Sequence, residues 1–412
     1  MATFNYTDIR ANYNGFIRPI IVVKMGGKDF SSNKYHFVIS DVEIENTSDF
    51  EASIATFMIY NSFNKQASRF EFKELKDYIV LGTPVVIYMG YEKSAREVFR
   101  GFIAKVNFEA PRLQAPGIRI TVMDVKGLMM SGSYSKQLLA DNYGDAVDEI
   151  LKKTNYEKIK KEGASSGGGI GDATSDDTSD STSIITKISI DPTPDKKDGA
   201  GGQSQASGDK KVTDITIEMV NESDYEFVVK AAKKLNYEFF SIGGHVYFRK
   251  AKSDTDILIV LGPETGMRSM DVQYDITGLA GSVEVRGIDV GKGDLISAKK
   301  KLNNKISQGS KAKGLVSEIE HVVIDPTIHS KEEAESRADF LSENIAYRLG
   351  TLHAEFSGMP ELRPGKFIIL QGIGMDLDVK FYITSVIHKM NTDDSYITKI
   401  IAKACSIEKT SE

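Results

Sequence analysis

The stretch "LRPGKFIILQGIGMDLDVKFYITSVIHKM", residues 362–390, holds a Pro-Gly turn, an apolar run, a glycine-punctuated loop and a second apolar run that reaches His388. Short β-branched and aromatic runs bounded by Gly and Pro predict a β-hairpin, and no catalytic side chains cluster around it. The same phrase stands earlier in the chain. In "LGTPVVIYMGYEKSAREVFRGFIAKVNFEAP", residues 81–111, a Gly-Thr-Pro turn leads into a strand, a short loop and a second strand. In both copies an aromatic, Phe99 or Phe381, precedes a β-branched run in the second strand. A hairpin written twice predicts two related β-barrel domains.

Outward from these hairpins the pattern is mainly β with an α+β insert. From Phe16 to Asp124 six strand-like runs alternate with Gly, Pro, Asn and Asp turns, which predicts an all-β barrel or sandwich as the first domain, 1–130. Residues 131–161 are a helical connection, with Asn142 as N-cap of a helix that aligns Tyr143, Ala146, Val147, Ile150 and Leu151. Residues 162–211 are rich in Gly, Ser, Asp and Lys and predict an exposed excursion, with "IITKISI" at 184–190 as its one strand-like run. A small α/β domain follows over 212–262. Its helix starts on a Ser223–Glu226 capping box and carries an apolar stripe of Tyr225, Val228, Val229, Ala232 and Leu235. The second barrel domain spans 263–412 and includes one helix over 331–349, on which Ala334, Ala338, Leu341, Ile345 and Leu349 share a face.

Bulk properties narrow the function. A chain of 412 residues exceeds what one core usually supports. A formal charge of −6 gives no basic surplus for sequence-independent nucleic-acid binding, so no nucleic-acid partner is expected. The single Cys405 forms no internal disulfide, which suits a reducing cytosol. The N-terminus lacks the basic start and apolar core of a signal peptide. The longest apolar stretch, 78–91, is broken by Gly82, Thr83 and Pro84 and falls short of the ~18 residues that span a bilayer, so no membrane insertion is expected.

Chemistry-bearing motifs are missing. The histidines (His36, His245, His321, His329, His353 and His388) have no zinc-type pairing, and His329 with Glu332 lacks a second histidine. There is no G-x-S-x-G elbow. "GIDVGKG", 287–293, is one residue short of a phosphate loop and has Gly293 where a magnesium-binding hydroxyl belongs. "GDATSDDTSD" lacks the mid-loop glycine and terminal glutamate of a calcium loop. The expectation is therefore no enzyme, with no catalytic, cofactor-binding or metal residues. The candidate site is instead a basic segment, 291–314. It carries Lys292, Lys299, Lys300, Lys301, Lys305, Lys311 and Lys313 against one acid, Asp294, in an acidic chain, and reads as a loop that docks on an acidic neighbour.

Taken in order, the two hairpins with "NESDYEFVVKAAKKLNYEFFSIGGHVYFRK" between them strongly resemble the phage late control D family. These are tail baseplate hub proteins that share their fold with the base of VgrG spikes. The family's helix start corresponds to Ser223, Asp224, Tyr225, Glu226 and Phe227, and "LRPGKFIIL" to the turn that opens its last hairpin. "EVRGID", 284–289, resembles a family strand with Ile288 in place of Trp, and Asn236 stands where a glycine is usual.

The resemblance implies a structural hub of a phage tail, tailocin or contractile injection system. The two β-barrel domains that flank the small α/β region would be tube-like, and two of them in each of three subunits would make a pseudo-sixfold ring. That ring would initiate a hexameric tube on one side and hold a trimeric spike on the other. The implied partners are a homotrimer, a tail tube or tube-initiator protein, baseplate wedge proteins and the spike. The spike is expected as a separate polypeptide because no β-helix follows Glu412. The implied location is the bacterial cytoplasm, where the chain is made, and then the tail baseplate of a virion or phage-like particle. The alternative from another class is a secreted β-rich carbohydrate-binding protein or enzyme, which needs convergent carboxylates in a cleft.

Overall fold

The computed structural model describes residues 2–31, 35–71, 73–92, 94–112, 115–153, 156, 183–194, 217–289, 293–302, 310–374, 379–391 and 395–406. The chain is mainly β with a smaller α/β region, as its pattern predicts. Ten strands carry the architecture. In the first half they are β1 (Val38–Thr47), β2 (Ile54–Tyr60), β3 (Pro84–Tyr91), β4 (Ser94–Glu109) and β5 (Gly117–Met123). In the second they are β6 (Met267–Tyr274), β7 (Gly350–Ser357), β8 (Phe367–Leu370), β9 (Lys380–Asn391) and β10 (Ser395–Ala404). The first five pair in the order β3-β4-β5-β2-β1 and the second five in the order β8-β9-β10-β7-β6, antiparallel throughout. Each strand of one unit thus has a counterpart five places later.

The duplication extends to single residues. The register row Phe102–Met123–Ile54–Glu45 in the first unit answers to Tyr382–Lys403–Thr351–Gln273 in the second. β4 carries a bulge after Ile103 and β9 carries one after Ile383, each leaving one residue unpaired. The hairpin turns match as well. The Gly82 N–H donates to the Ile103 carbonyl and the Ile103 N–H to the Thr83 carbonyl, both at 2.9 Å. The Gly365 N–H donates to the Ile383 carbonyl at 3.0 Å and the Ile383 N–H to the Lys366 carbonyl at 2.9 Å. Both glycines hold left-handed backbone, φ 88° at Gly82 and 79° at Gly365, where a side chain is strained.

The pairings run as one path through both units, because β1 also pairs with β9 (Ser385↔Thr47 to Met390↔Val42). One apolar core follows, shared by Ile44, Phe57, Ile87 and Ile120 of the first half and Phe356, Ile368, Phe381 and Ile400 of the second. Flanking strands distinguish the units: Pro19–Met25 lies antiparallel beside β3, whereas Ile257–Leu261 lies parallel beside β8.

The α/β region packs on a second core. Its helix Asp224–Leu235 has the expected capping box and ends on Asn236 in the left-handed conformation. It buries Phe227 and Ala231 as well as Val228, Val229 and Ala232. Gly243 and Gly244, both at positive φ, turn the hairpin Tyr237–Ile242 and His245–Lys250. The exposed excursion needs a correction at its centre. Ile184 and Ile185 are buried, and strand Lys187–Ile190 pairs in parallel with His245–Lys250. The sheet supplies partners for this backbone that the flanking polar sequence does not reveal. The rest of 162–211, apart from 183–194, lies outside the described residues.

Candidate functional site

The basic segment is not one loop. Leu295–Lys301 is a strand paired with Ser282–Ile288, and Ser310–Ser317 is a helix. The run "LISAKKK" alternates, turning Ile296 and Ala298 toward helix Lys331–Ala346, while the lysine triplet hides that period from a charge-based reading. Lys299 is paired with Glu320 (2.6 Å) and Lys300 with Asp339 (2.6 Å), all at the surface. The hydrogen bond to Glu320 raises the Lys299 ammonium pKa. Lys301 is exposed on the same face of the strand as Lys299. Lys311 and Lys313 fall on the helix, and Lys292 and Lys305 lie outside the described residues. The run "GLVSEIEHVVIDP" that follows, apolar enough to read as one strand, likewise divides, its first four residues in the helix and only Glu320–Ile324 in a strand.

A second set of polar groups ties the hairpin of residues 362–390 to the α/β region. Glu238 accepts from Arg249 Nε (2.6 Å) and from the Tyr382 hydroxyl (2.6 Å), and Arg249 also donates to the Gly365 carbonyl (2.7 Å). Burial pushes the Glu238 carboxyl up, with Arg249 and Tyr382 pulling against it. Arg249 and Lys366 both face Asp254. Glu361 joins the halves in the same manner, accepting from Tyr13 (2.7 Å) and meeting Arg96 (3.1 Å). His388 is buried between Tyr396 (3.0 Å) and Thr398 (3.1 Å), and burial pulls its imidazole down to about 4. His245 meets Ser189 at 2.8 Å and is also pulled down to about 4 by burial. Among the described residues no three His, Cys, Asp or Glu side chains gather as metal ligands, and no helix is long and apolar enough to cross a membrane.

Sequence reading missed two strand edges. On β9, Val386 and His388 sit under β1 and are 0% and 1% exposed. Their counterparts on β4 are Val106 and Phe108. β5 lies along one edge of that segment and no described strand along the other; Val106 is half-buried and Phe108 is 49% exposed, with Phe70 edge-on to its ring at 5.2 Å. On β1, Val42 and Ile44 are buried, whereas their counterparts Met270 and Val272 on β6, the end of the sheet path, are half-buried. Aligning the two hairpins residue by residue would have exposed this asymmetry.

No family model and no curated protein matches the chain. Solved structures do. A tail protein from Neisseria meningitidis MC58 is similar at 11% identity and TM-score 0.62 over 94% of this chain and 97% of that one. The 43 kDa tail protein of prophage MuSo2 from Shewanella oneidensis is similar at 12% identity and TM-score 0.62, over 93% and 97%. An E. coli component of the type VI secretion system, described as structurally similar to T4 bacteriophage tail proteins gp27 and gp5, gives 10% identity and TM-score 0.50 over 95% and 77%. The chain has the fold of these tail proteins, and the resemblance to the hub family is borne out at the level of fold.

Proposed function

We propose that the protein is a structural hub of a phage-like tail baseplate, a homotrimer that adapts a hexameric tube to a trimeric spike. The observation that carries this reading is the duplication. Two units of identical strand order and register lie in one chain, so three chains present six near-equivalent units, the number a hexameric tube ring requires. Likeness to two tail proteins over nearly the whole of both chains supports the same reading. The work is matching symmetries through large surfaces, and it needs no reacting groups.

In this reading the strand-and-helix segment bearing Lys299–Lys301 lies toward an acidic neighbour, tube or spike, and steers docking. Its two surface ion pairs leave Lys301 as the most available of the three lysines. Mass photometry at micromolar concentration tests the hub: the expected species has three times the 45.4 kDa of one chain and recruits tube protein into sixfold rings. A strict monomer that ignores both tube and spike proteins overturns it.

A further inference from the structure

We infer that the open face of the small sheet inserted into the second unit, bearing Ile288, Leu295, Val322 and Ile324, docks an amphipathic helix of another polypeptide, apolar along one stripe and acidic at one end. The place of that polypeptide in a tail rests on the hub reading; the face and its chemistry rest on the insertion.

The first unit joins β1 to β2 through residues 48–53, whereas the second joins β6 to β7 through residues 275–349. That insertion holds the helix Lys331–Ala346 and a three-stranded sheet, in the order Leu295–Lys301, Ser282–Ile288, Glu320–Ile324. Successive side chains of a strand point to opposite faces, so the sheet has two faces to cover. On one, Val283, Val285, Ile296 and Ala298 pack with Ala334, Ala338 and Ile345 of the helix, and Lys300 pairs with its Asp339 at 2.6 Å. The covered face thus shows what suits this sheet: a helix over the aliphatics, and a helix carboxylate answering a strand lysine.

The opposite face repeats that composition and is bare among the described residues. The register sets Ile288 beside Leu295, Arg286 beside Ser297 and Ile324, and Glu284 beside Lys299 and Val322. Ile324 is 77% exposed, Leu295 69%, Ile288 55% and Val322 43%. A sheet face turned to water carries polar side chains at such positions, and clustered exposed aliphatics mark an interaction surface.

Charge sorts the face along the strands. The aliphatics gather toward the Ile288–Leu295 end, and Lys299 and Lys301 stand at the other. Glu284 accepts from Arg286 (2.8 Å) and Ser297 (2.6 Å), and Lys299 pairs with Glu320 (2.6 Å). Lys301 has no carboxylate partner among the described residues. From Leu295 to Lys301 a strand covers about 20 Å, the length of roughly four helical turns. A helix laid along it reaches the aliphatics with its apolar stripe and Lys301 with a terminal acid, and the opposite charges fix its direction.

Benzoylphenylalanine at position 324 of the full chain tests the face with two synthetic helices that share a leucine stripe and end in glutamates or in lysines. Irradiation is expected to link the glutamate-ended helix several-fold more than the lysine-ended one, and Lys301→Glu to reverse that preference. The same photolabel in place of Leu139, 93% exposed beyond strand Tyr134–Leu138, is expected to link neither. Equal linking of both helices, or linking at 139 as strong as at 324, overturns the proposal. Linking of one copy of this chain to another assigns the face to a second copy and overturns it as well. In cells that make the protein, the residue linked to position 324 is expected to lie on the apolar stripe of a helix with Asp or Glu nearby on the same face; a link to a strand or an irregular segment overturns the proposal. Mass photometry of the same preparations keeps the two readings apart: trimers without preferential linking remove the docking face alone, and a strict monomer that links the glutamate-ended helix removes the hub alone.

Discussion

In the second β unit the turn glycine, Gly365, is braced: its carbonyl accepts from Arg249, and a methyl group added to it would come within 2.8 Å of the Phe240 ring. In the first unit the equivalent Gly82 has nothing within 4 Å of where a methyl group would stand. Past the bulge the contrast repeats, with His388 sealed beneath β1 and Phe108 half in solvent. One strand plan has received two environments. The backbone pattern therefore belongs to the duplicated unit, and the side-chain chemistry belongs to what is packed against each copy.

The largest expected effect comes from removing the brace. Arg249→Leu leaves Glu238 buried with only Tyr382 as partner, and breaking such a pair from one side costs about 3–5 kcal/mol. Urea denaturation followed by circular dichroism measures it; a loss no larger than that of a surface substitution would mean that the brace is dispensable.

Next is pH. The His388 imidazole lies near 4 in the folded chain against 6.5 when free, so the unfolded chain binds more protons in that window. Its contribution is intact above about pH 6.5 and is lost as pH falls toward 4, by up to about 3 kcal/mol. His388→Phe, which installs the residue found at the equivalent position 108, is expected to flatten that part of the stability profile.

The turn glycines sharpen the comparison further. Gly82→Ala meets only left-handed strain, about 1–2 kcal/mol. Gly365→Ala meets that strain plus the Phe240 and Arg249 side chains, and is expected to lower the melting temperature by clearly more. Equal shifts would erase the distinction drawn between the units.

The smallest effect on folding is expected from Lys299→Glu, Lys300→Glu and Lys301→Glu together. Exposed ion pairs contribute little, so the melting temperature moves by roughly 2–4 °C at most. Docking to tube or spike should slow and lose its salt dependence. Assembly at the unaltered rate in both low and high salt would assign the lysines to solvation alone.

Much of this architecture was legible in the sequence. Local signals announced local structure: Ser223 and Glu226 marked a helix start, Asn236 its end, and Gly243-Gly244 a hairpin. Repetition of the 81–111 pattern in 362–390 announced the duplicated unit. What stayed hidden depends on distant partners. The run at 184–190 was legible as a strand, but its partner was not: Lys187–Ile190 is held by His245–Lys250, which its polar flanks do not reveal. The lysine triplet masked a strand because charge was read before period. The merging of two expected domains into one core depends on β1 meeting β9, which no window on the sequence contains.

That meeting also sets a schedule for biosynthesis. Thr47 and Thr384, hydrogen-bonded across the junction, are 337 residues apart. At about 5–20 residues per second the ribosome needs roughly 17–67 s between them. For that interval β1 waits on the nascent chain with its outer edge uncovered. Neighbouring ribosomes on one message hold identical chains at different stages, and the completed β9 of a leading chain matches the waiting β1 of a trailing one. Translation pace therefore bears on whether this junction closes within a molecule or between two.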